Sequence, residues 1–267
     1  MALKVGVHGA AGRMGRTIVQ LVQEAEDLTL VAAIDAPGSE LLGRDAGELA
    51  GVRAAGVTIV SDLAQLAKAD VIIDFSLPRA LPGLLSFVEA KPLPLVIATT
   101  GLDGALMERI VGLAPRLPLV AAPNYSTGVA VLYHLAEQAA ALLPEFDLEI
   151  IEMHHRHKID SPSGTALGLL DAAAQGRKQD GRAQAVYGRQ GHPGARTDRE
   201  IGVLALRGGD VIGDHTLMLA GPGERLELTH RATNRSLFAH GALRAARFVA
   251  GKPAGRYSMA QVLGLRP

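Results

Sequence analysis

The densest chemistry in this chain lies in one string, Glu152-Met153-His154-His155-Arg156-His157-Lys158, followed by Ile159-Asp160-Ser161-Pro162-Ser163-Gly164-Thr165. Three histidines, an arginine and a lysine occupy five consecutive positions. If the string continues a strand, His154, Arg156 and Lys158 lean to one side and His155 and His157 to the other. The Ser/Gly/Thr loop behind it opens a helix, whose first N–H groups lack partners within the helix and favour anions. Cations facing a helix N-terminus describe a site for a carboxylate or a phosphate. Zinc binding, a solvated basic loop and nucleic-acid contact compete with that reading. No HExxH spacing accompanies the histidines, and nothing extends the charge into a stripe. Binding of a small anion is the best single account, with no metal expected.

A second constellation opens the chain. Leu3–Val7 reads as a strand and runs into His8-Gly9-Ala10-Ala11-Gly12-Arg13-Met14-Gly15, a GxxGxxG turn before an amphipathic helix. In such a turn Gly9 permits the tight bend, Gly12 lets the backbone approach a pyrophosphate, and Gly15 lets the helix pack against the strand. Arg13, on the first helical turn, is placed to reach phosphate or adenine. Asp35 closes the second strand, where an acid accepts hydrogen bonds from the adenosine ribose. The combination predicts a nicotinamide dinucleotide site. An acid there repels a 2′-phosphate, and Ala36 and Pro37 supply no compensating cation, so NADH is expected to be preferred over NADPH.

These residues need a frame. Apolar runs at Leu3–Val7, Leu28–Ile34, Val57–Val60, Val71–Phe75, Leu95–Ala98 and Leu117–Ala122 alternate with helical spacing, clearest at Met14, Ile18, Leu21, Val22 and Ala25. That beat predicts a Rossmann-type doubly wound parallel sheet with helices on both faces. The second half changes character. An apolar helix is predicted over 127–143, a strand over Asp147–Met153 and a helix over Gly164–Ala174. Polar, Gly-rich sequence runs on to about residue 200. Then β-rich runs over 201–207, 211–220 and 224–232 are separated by turns at Gly208-Gly209-Asp210 and Gly221-Pro222-Gly223, which predicts an antiparallel meander. Residues 234–249 return to helical spacing and are expected to pack back on the first domain. The expected plan is α/β: a dinucleotide-binding domain over 1–126, completed by 234–267, and an inserted α+β domain over 127–233 with a mainly antiparallel or mixed sheet, for substrate binding and oligomerisation.

Composition narrows the class. The chain has 267 residues with 27 basic and 27 acidic side chains, so its formal net charge is zero and a nucleic-acid partner is not expected. It contains no cysteine, which excludes a thiol nucleophile, a disulfide scaffold and Cys-ligated zinc or iron–sulfur sites. No stretch approaches the ~18 uncharged apolar residues of a membrane span, and the first residues pass directly into strand and loop, so a soluble, cytoplasmic protein is expected.

The string EMHHRHKIDSPSGTAL (152–167), together with VGVHGAAGRMG at the N-terminus, closely resembles the 4-hydroxy-tetrahydrodipicolinate reductase (dihydrodipicolinate reductase) family. The likeness runs from residue 3 to the C-terminus and includes SELLGRDAGELAG (39–51), DFSLP (74–78), ATTG (98–101), APNYSTGV (122–129), GDVIGDHT (209–216) and GERLELTHRATNR (223–235). The resemblance implies NAD(P)H-dependent reduction of a small cyclic dicarboxylate in lysine and diaminopimelate biosynthesis. It implies His154 as proton donor and Lys158 as an acid or charge-stabilising partner. His155, Gly164 and Thr165 would hold a substrate carboxylate. Gly9, Ala10, Ala11, Gly12, Arg13, Met14 and Asp35 would meet the cofactor's phosphates and ribose. Ala98, Thr99 and Thr100, and Ala122, Pro123, Asn124 and Tyr125, would form loops beside the nicotinamide. It also implies a homotetramer through the second sheet. The chain departs from many members at Ala36, where they carry a basic residue, at Leu77, where some carry Arg, and at Ala98, where many carry Gly.

Two alternatives stand beside this reading. One is another Rossmann dehydrogenase of aspartate-family amino acids, and the other is a regulator that binds NADH without turnover. The cofactor preference is checked by comparing kcat/KM for the two cofactors. NADH is expected to be the better substrate, and an NADPH advantage of about tenfold or more contradicts the role given to Asp35.

Overall fold

The computed structural model describes residues 1–265. The chain forms two compact units: Met1–Ser126 with the chain from Ser236 onward, and Thr127–Arg235. The last two residues of the expected C-terminal completion lie outside the described residues.

The first unit begins with β1 (Leu3–His8), α1 (Arg13–Glu24), β2 (Leu28–Ile34), a short α2 (Ala46–Leu49) and β3 (Ile59–Val60). It continues with β4 (Val71–Asp74), α3 (Leu81–Ala90), β5 (Leu95–Ile97), α4 (Gly104–Leu113) and β6 (Pro118–Ala121). The second unit contains α5 (Thr127–Leu142), β7 (Asp147–His154), α6 (Gly164–Gly176), α7 (Gly181–Gln184), β8 (Ala185–Val186), β9 (Ile201–Arg207), β10 (Gly213–Gly221) and β11 (Glu224–Ala232). The chain then returns to the first unit as α8 (Ser236–Val249), β12 (Gly255–Tyr257) and α9 (Met259–Val262).

The first sheet has the order β12-β6-β5-β4-β1-β2-β3, and its paired strands are parallel. All of β4 and β5 is buried, as expected for parallel strands covered on both faces. The order reverses between β1 and β4, which opens a crevice at their carboxyl ends, where Asp35, the residue after β2, is also found. On α1, Gly15, Ile18, Val19 and Val22 face the core. A Cβ on Gly15 would run into the Gly9 carbonyl oxygen, so the close approach of helix to turn requires glycine there. The helix α8 packs on α1, β4, β5 and β6 through Ala239, Ala242, Ala245 and Ala246. Small residues let it lie close to the strands. The edge strand β12 carries no sequence signal strong enough to have been expected.

In the second unit one face of a mixed sheet packs on α5 and α6. Leu148 and Ile150 of β7, Ile201 and Val203 of β9, and Leu217 and Leu219 of β10 meet Leu132, Ala136 and Ala140 of α5 and Leu169, Leu170 and Ala173 of α6. Alternate burial along β7 and β10 follows from this one-sided cover. The sheet order is β11-β10-β7-β9-β8, which corrects the expected meander. Strands β10 and β11 form a hairpin, but β7 lies between β9 and β10, antiparallel to β10 and parallel to β9. The reason lies in the 208–210 turn. Gly208 N–H donates to the His154 carbonyl and Arg156 N–H donates to the Gly209 carbonyl, so this turn wraps the end of β7 rather than joining neighbouring strands. The polar stretch before residue 201 also contributes the short strand β8.

Candidate functional site

In the first unit a cavity of about 540 Å³ is lined by Gly9, Gly12, Arg13, Met14 and Asp35 from the turn side and by Ala98, Thr99 and Thr100 from the end of β5. His8, Ala36, Phe75, Ser76 and Arg79 line it as well. Phe75, Ser76 and Arg79 were given no place in the site from the sequence, because the segment after β4 joins the crevice only through the strand order.

The turn's own hydrogen bonds decide what remains for a ligand. Ala10 N–H donates to the Ile34 carbonyl at 2.9 Å, and Gly12 N–H to the Gly9 carbonyl at 3.2 Å. Ala11 N–H donates to Asp35 Oδ2 at 2.7 Å. The N–H groups of Arg13 and Met14 start α1, and no side chain caps that helix. Arg13 and Met14 both line the cavity, so these helix-start donors lie beside it. Asp35 also accepts from Ala36 N–H through Oδ1 at 2.8 Å. Each of its oxygens keeps lone-pair capacity for a hydroxyl. Free helix-start donors, glycine-shaped backbone and an acid after β2 fit a dinucleotide, with Ala10 and Ala11 shaping the turn rather than offering donors.

A neighbouring cavity of about 210 Å³ is lined by Thr99, Thr100, Ala122 and Pro123, with Met107 and Arg256. Asn124 and Tyr125 line neither cavity. Tyr125 is buried, its hydroxyl sits 2.8 Å from the Ile97 carbonyl and 2.9 Å from that of Val120, and burial pushes its pKa well above the ordinary phenol value. Asn124 Oδ1 accepts from Ser126 N–H at 2.8 Å. Both side chains therefore fix the loop after β6.

In the second unit the basic string does not continue the strand. β7 ends at His154, and Lys158 N–H donates back to the His155 carbonyl, so the alternation of sides expected for Arg156, His157 and Lys158 is replaced by a turn. Around His154 a polar cluster is buried. Glu152 is 0% exposed and accepts from His154 Nδ1 at 2.6 Å, from Arg207 at 2.8 and 3.0 Å, and from Ser163 N–H at 3.0 Å. Burial alone would raise the Glu152 pKa, but Arg207, His154 and the Ser163 N–H together hold it below the usual carboxylate value. Burial lowers the His154 pKa, opposed by Glu152. Because a carboxylate only accepts, His154 donates through Nδ1, which leaves Nε2 as the atom that gains or gives a proton.

Beside this ring stands His215, in edge contact with centroids 5.1 Å apart, its Nε2 3.0 Å from the Ser163 hydroxyl. Ser163 caps α6 by accepting from Ala166 N–H, which orients the helix start at Gly164 and Thr165 towards this end of β7. Tyr133 donates to the Thr165 carbonyl at 3.1 Å. Lys158 Nζ is paired with Asp160 at 2.8 and 2.9 Å, and Lys158 holds the Asp160 carboxyl below its ordinary pKa. The rings of His155 and His157 lie 6.4 Å apart. His154 and Lys158 thus belong to one cluster with Glu152, Arg207, Ser163 and His215. Glu152 and Ser163 stood in the string without an assigned role, and Arg207 and His215 were missed because they arrive from strands whose register was not foreseen. Among the described residues no group of three or more His, Asp or Glu side chains is arranged to hold a metal ion.

Comparison with known proteins bears on both sites. Residues 3–125 match the family model described as dihydrodipicolinate reductase, N-terminus, and residues 128–263 match that for the C-terminus. The 4-hydroxy-tetrahydrodipicolinate reductase of Alkalilimnicola ehrlichii is 52% identical over 99% of this chain and 100% of its own. That of Thiobacillus denitrificans is 51% identical over the full length of both chains. A dipicolinate-bound dihydrodipicolinate reductase from Paenisporosarcina sp. has a TM-score of 0.76 and 25% identity, over 98% of this chain and 99% of its own.

The His215 environment yields a pH prediction. Burial first, and then the charge of His154, push its pKa down to about 4, and its Nδ1 is buried without a partner. Between pH values of about 6.5 and about 4 the unfolded chain takes up a proton that the folded chain refuses, so stability falls as pH drops through that window. Ring titration by NMR is expected to show His215 neutral well below pH 6. A midpoint near the ordinary histidine value contradicts the burial described here.

Proposed function

The chain belongs to the dihydrodipicolinate reductase family, and from that premise we propose how its residues carry the family's reaction. It is a nicotinamide-dependent reductase that converts 4-hydroxy-tetrahydrodipicolinate to tetrahydrodipicolinate and water in lysine and diaminopimelate biosynthesis. When bound, the reduced nicotinamide supplies the hydride. In our reading the first unit holds the cofactor, with the N–H groups of Arg13 and Met14 on its phosphates and Asp35 on its adenosine ribose. NADH is the proposed preference, because the group after β2 is a carboxylate followed by Ala36. The loops at Ala98, Thr99, Thr100, Ala122 and Pro123 border the nicotinamide half, with Asn124 and Tyr125 holding the second loop in shape.

The second unit takes the dicarboxylate. His155, the Gly164 and Thr165 backbone and the Thr165 hydroxyl bind a carboxylate at the start of α6. His154 delivers the proton from Nε2 once its ring is protonated. Lys158 exchanges its Asp160 partner for the substrate and balances the charge that hydride addition creates. The observation that carries this assignment is the buried Glu152 carboxylate on His154 Nδ1, which fixes the ring and leaves Nε2 for chemistry. A merely structural histidine needs no such anchor at the mouth of a basic loop.

The second sheet supports a homotetramer. Its face away from α5 and α6 presents Ile151, Met153, Leu204, Leu206 and Met218, and Leu206 is 50% exposed. An apolar sheet face of this kind fits a symmetric pairing with another copy. The cytoplasm is the proposed location. Among the described residues no helix is long and apolar enough to cross a membrane.

Two measurements test these assignments. With substrate generated freshly from pyruvate and aspartate semialdehyde, the wild type is expected to oxidise NADH rapidly. His154→Ala should lose on the order of 10²–10⁴ in kcat with NADH affinity nearly unchanged, and Lys158→Ala should do likewise with weaker substrate binding. Near-wild-type kcat removes the residue concerned from the mechanism. Light scattering is expected to read a particle four times the 27.9 kDa chain, and a monomer mass contradicts the sheet-to-sheet assembly.

A further inference from the structure

The carboxyl ends of β1, β4 and β5 carry a buried polar cluster in which His8 and Asp74 have no role in the reaction described above. Asp74, the last residue of β4, is 0% exposed. Its Oδ1 lies 2.7 Å from His8 Nδ1, and its Oδ2 accepts from the Thr99 hydroxyl at 2.6 Å. Ser76 N–H adds a longer bond to Oδ1 at 3.3 Å. His8 is only 5% exposed, yet it lines the 540 Å³ cavity beside Gly9 and Thr99. Its Nδ1 faces Asp74, which leaves Nε2 as the ring nitrogen that Asp74 does not engage.

The chemistry of that nitrogen follows from its neighbour. A carboxylate accepts and cannot donate, so Nδ1 carries the hydrogen. Three donors already share the Asp74 charge, and the tautomer that donates through Nδ1 presents a lone pair at Nε2. An acceptor needs a donor from the ligand. Phosphate oxygens have none to give, whereas ribose hydroxyls do. Position selects which ribose. Asp35, after β2, stands on one side of β1, while β4 and β5 lie on the other. His8, Asp74 and Thr99 step away from the adenosine side towards the loop bordering the nicotinamide half.

We propose that His8 is a cofactor-binding residue whose Nε2 accepts a hydrogen bond from a hydroxyl of the nicotinamide ribose, with Asp74 fixing the ring in the tautomer this requires. The inference rests on the nicotinamide-cofactor reading of the cavity. It makes the residue before the glycine turn a reader of the cofactor's far half, while the turn itself reads the phosphates.

The test compares two ligands of the purified protein: NADH, followed by its fluorescence, and ADP, which has the adenosine and the diphosphate but no nicotinamide ribose, followed by competition. His8→Ala is expected to weaken NADH by about fivefold, the worth of one neutral hydrogen bond, and to leave ADP within about twofold of wild type. His8→Phe, which keeps a ring of similar size but no acceptor, should give the same split if the alanine variant does not fold. Unchanged NADH affinity in a folded variant overturns the inference, and so does an equal loss for both ligands, which would place His8 on the phosphates or in a purely structural role. Wild-type protein that fails to bind NADH removes the cofactor reading itself, a result distinct from either.

Discussion

A carboxylate with no access to water must find its hydrogen bonds inside the protein, and Glu152 finds them on three separate segments. The end of β7 supplies His154, the start of α6 supplies the Ser163 N–H, and the end of β9 supplies Arg207. Losing any one leaves a buried charge short of a partner, at a cost of about 3–5 kcal/mol for a broken buried pair. One side chain therefore ties together the end of β7, the start of α6 and the end of β9, the strand beside β7. The proposed proton donor is held as a by-product of satisfying the charge behind it.

Asp74 plays the corresponding part in the first unit. It too is fully buried, and it too holds an imidazole through Nδ1. In both units an acid near the end of a strand holds a histidine through Nδ1 and leaves its Nε2 unengaged by that acid. The acids differ in how their charge is met. Glu152 has a guanidinium, while Asp74 has the Thr99 hydroxyl and a backbone N–H.

Much of the fold could be read in the residues themselves. The alternation of short apolar runs with helical spacing gives the parallel sheet, because each strand must be covered on both faces, and the glycine turn followed by Asp35 falls where the crevice opens. The basic string stood out because charge so dense is unusual in a chain that is neutral as a whole. What escaped depends on long-range register. Arg207 and Glu152 are 55 residues apart, and nothing local to either announces the other. The turn at Gly208-Gly209-Asp210 looks like a hairpin turn, yet its hydrogen bonds go to β7, and only the three-dimensional arrangement reveals that. Lys158 read as one cation of the basic string, and its pairing with Asp160, two residues on, was not foreseen. Tyr125 read as part of a loop beside the nicotinamide, but the bonding of its buried hydroxyl to the Ile97 and Val120 carbonyls could not be seen in the sequence.

The position of β7 between two later strands also orders the events of synthesis. β7 is complete at residue 154, but its neighbours begin only at 201 and 213, so a chain emerging from N to C carries it for dozens of residues with neither edge paired. During that interval α5 and α6, which flank it in sequence, are the surface available to Leu148 and Ile150. The sheet closes only when the 208–210 turn passes over the end of β7, and that same step delivers Arg207 to Glu152. Nascent chains halted before residue 207 would hold every residue of the basic string and yet lack the guanidinium that completes the pocket behind it.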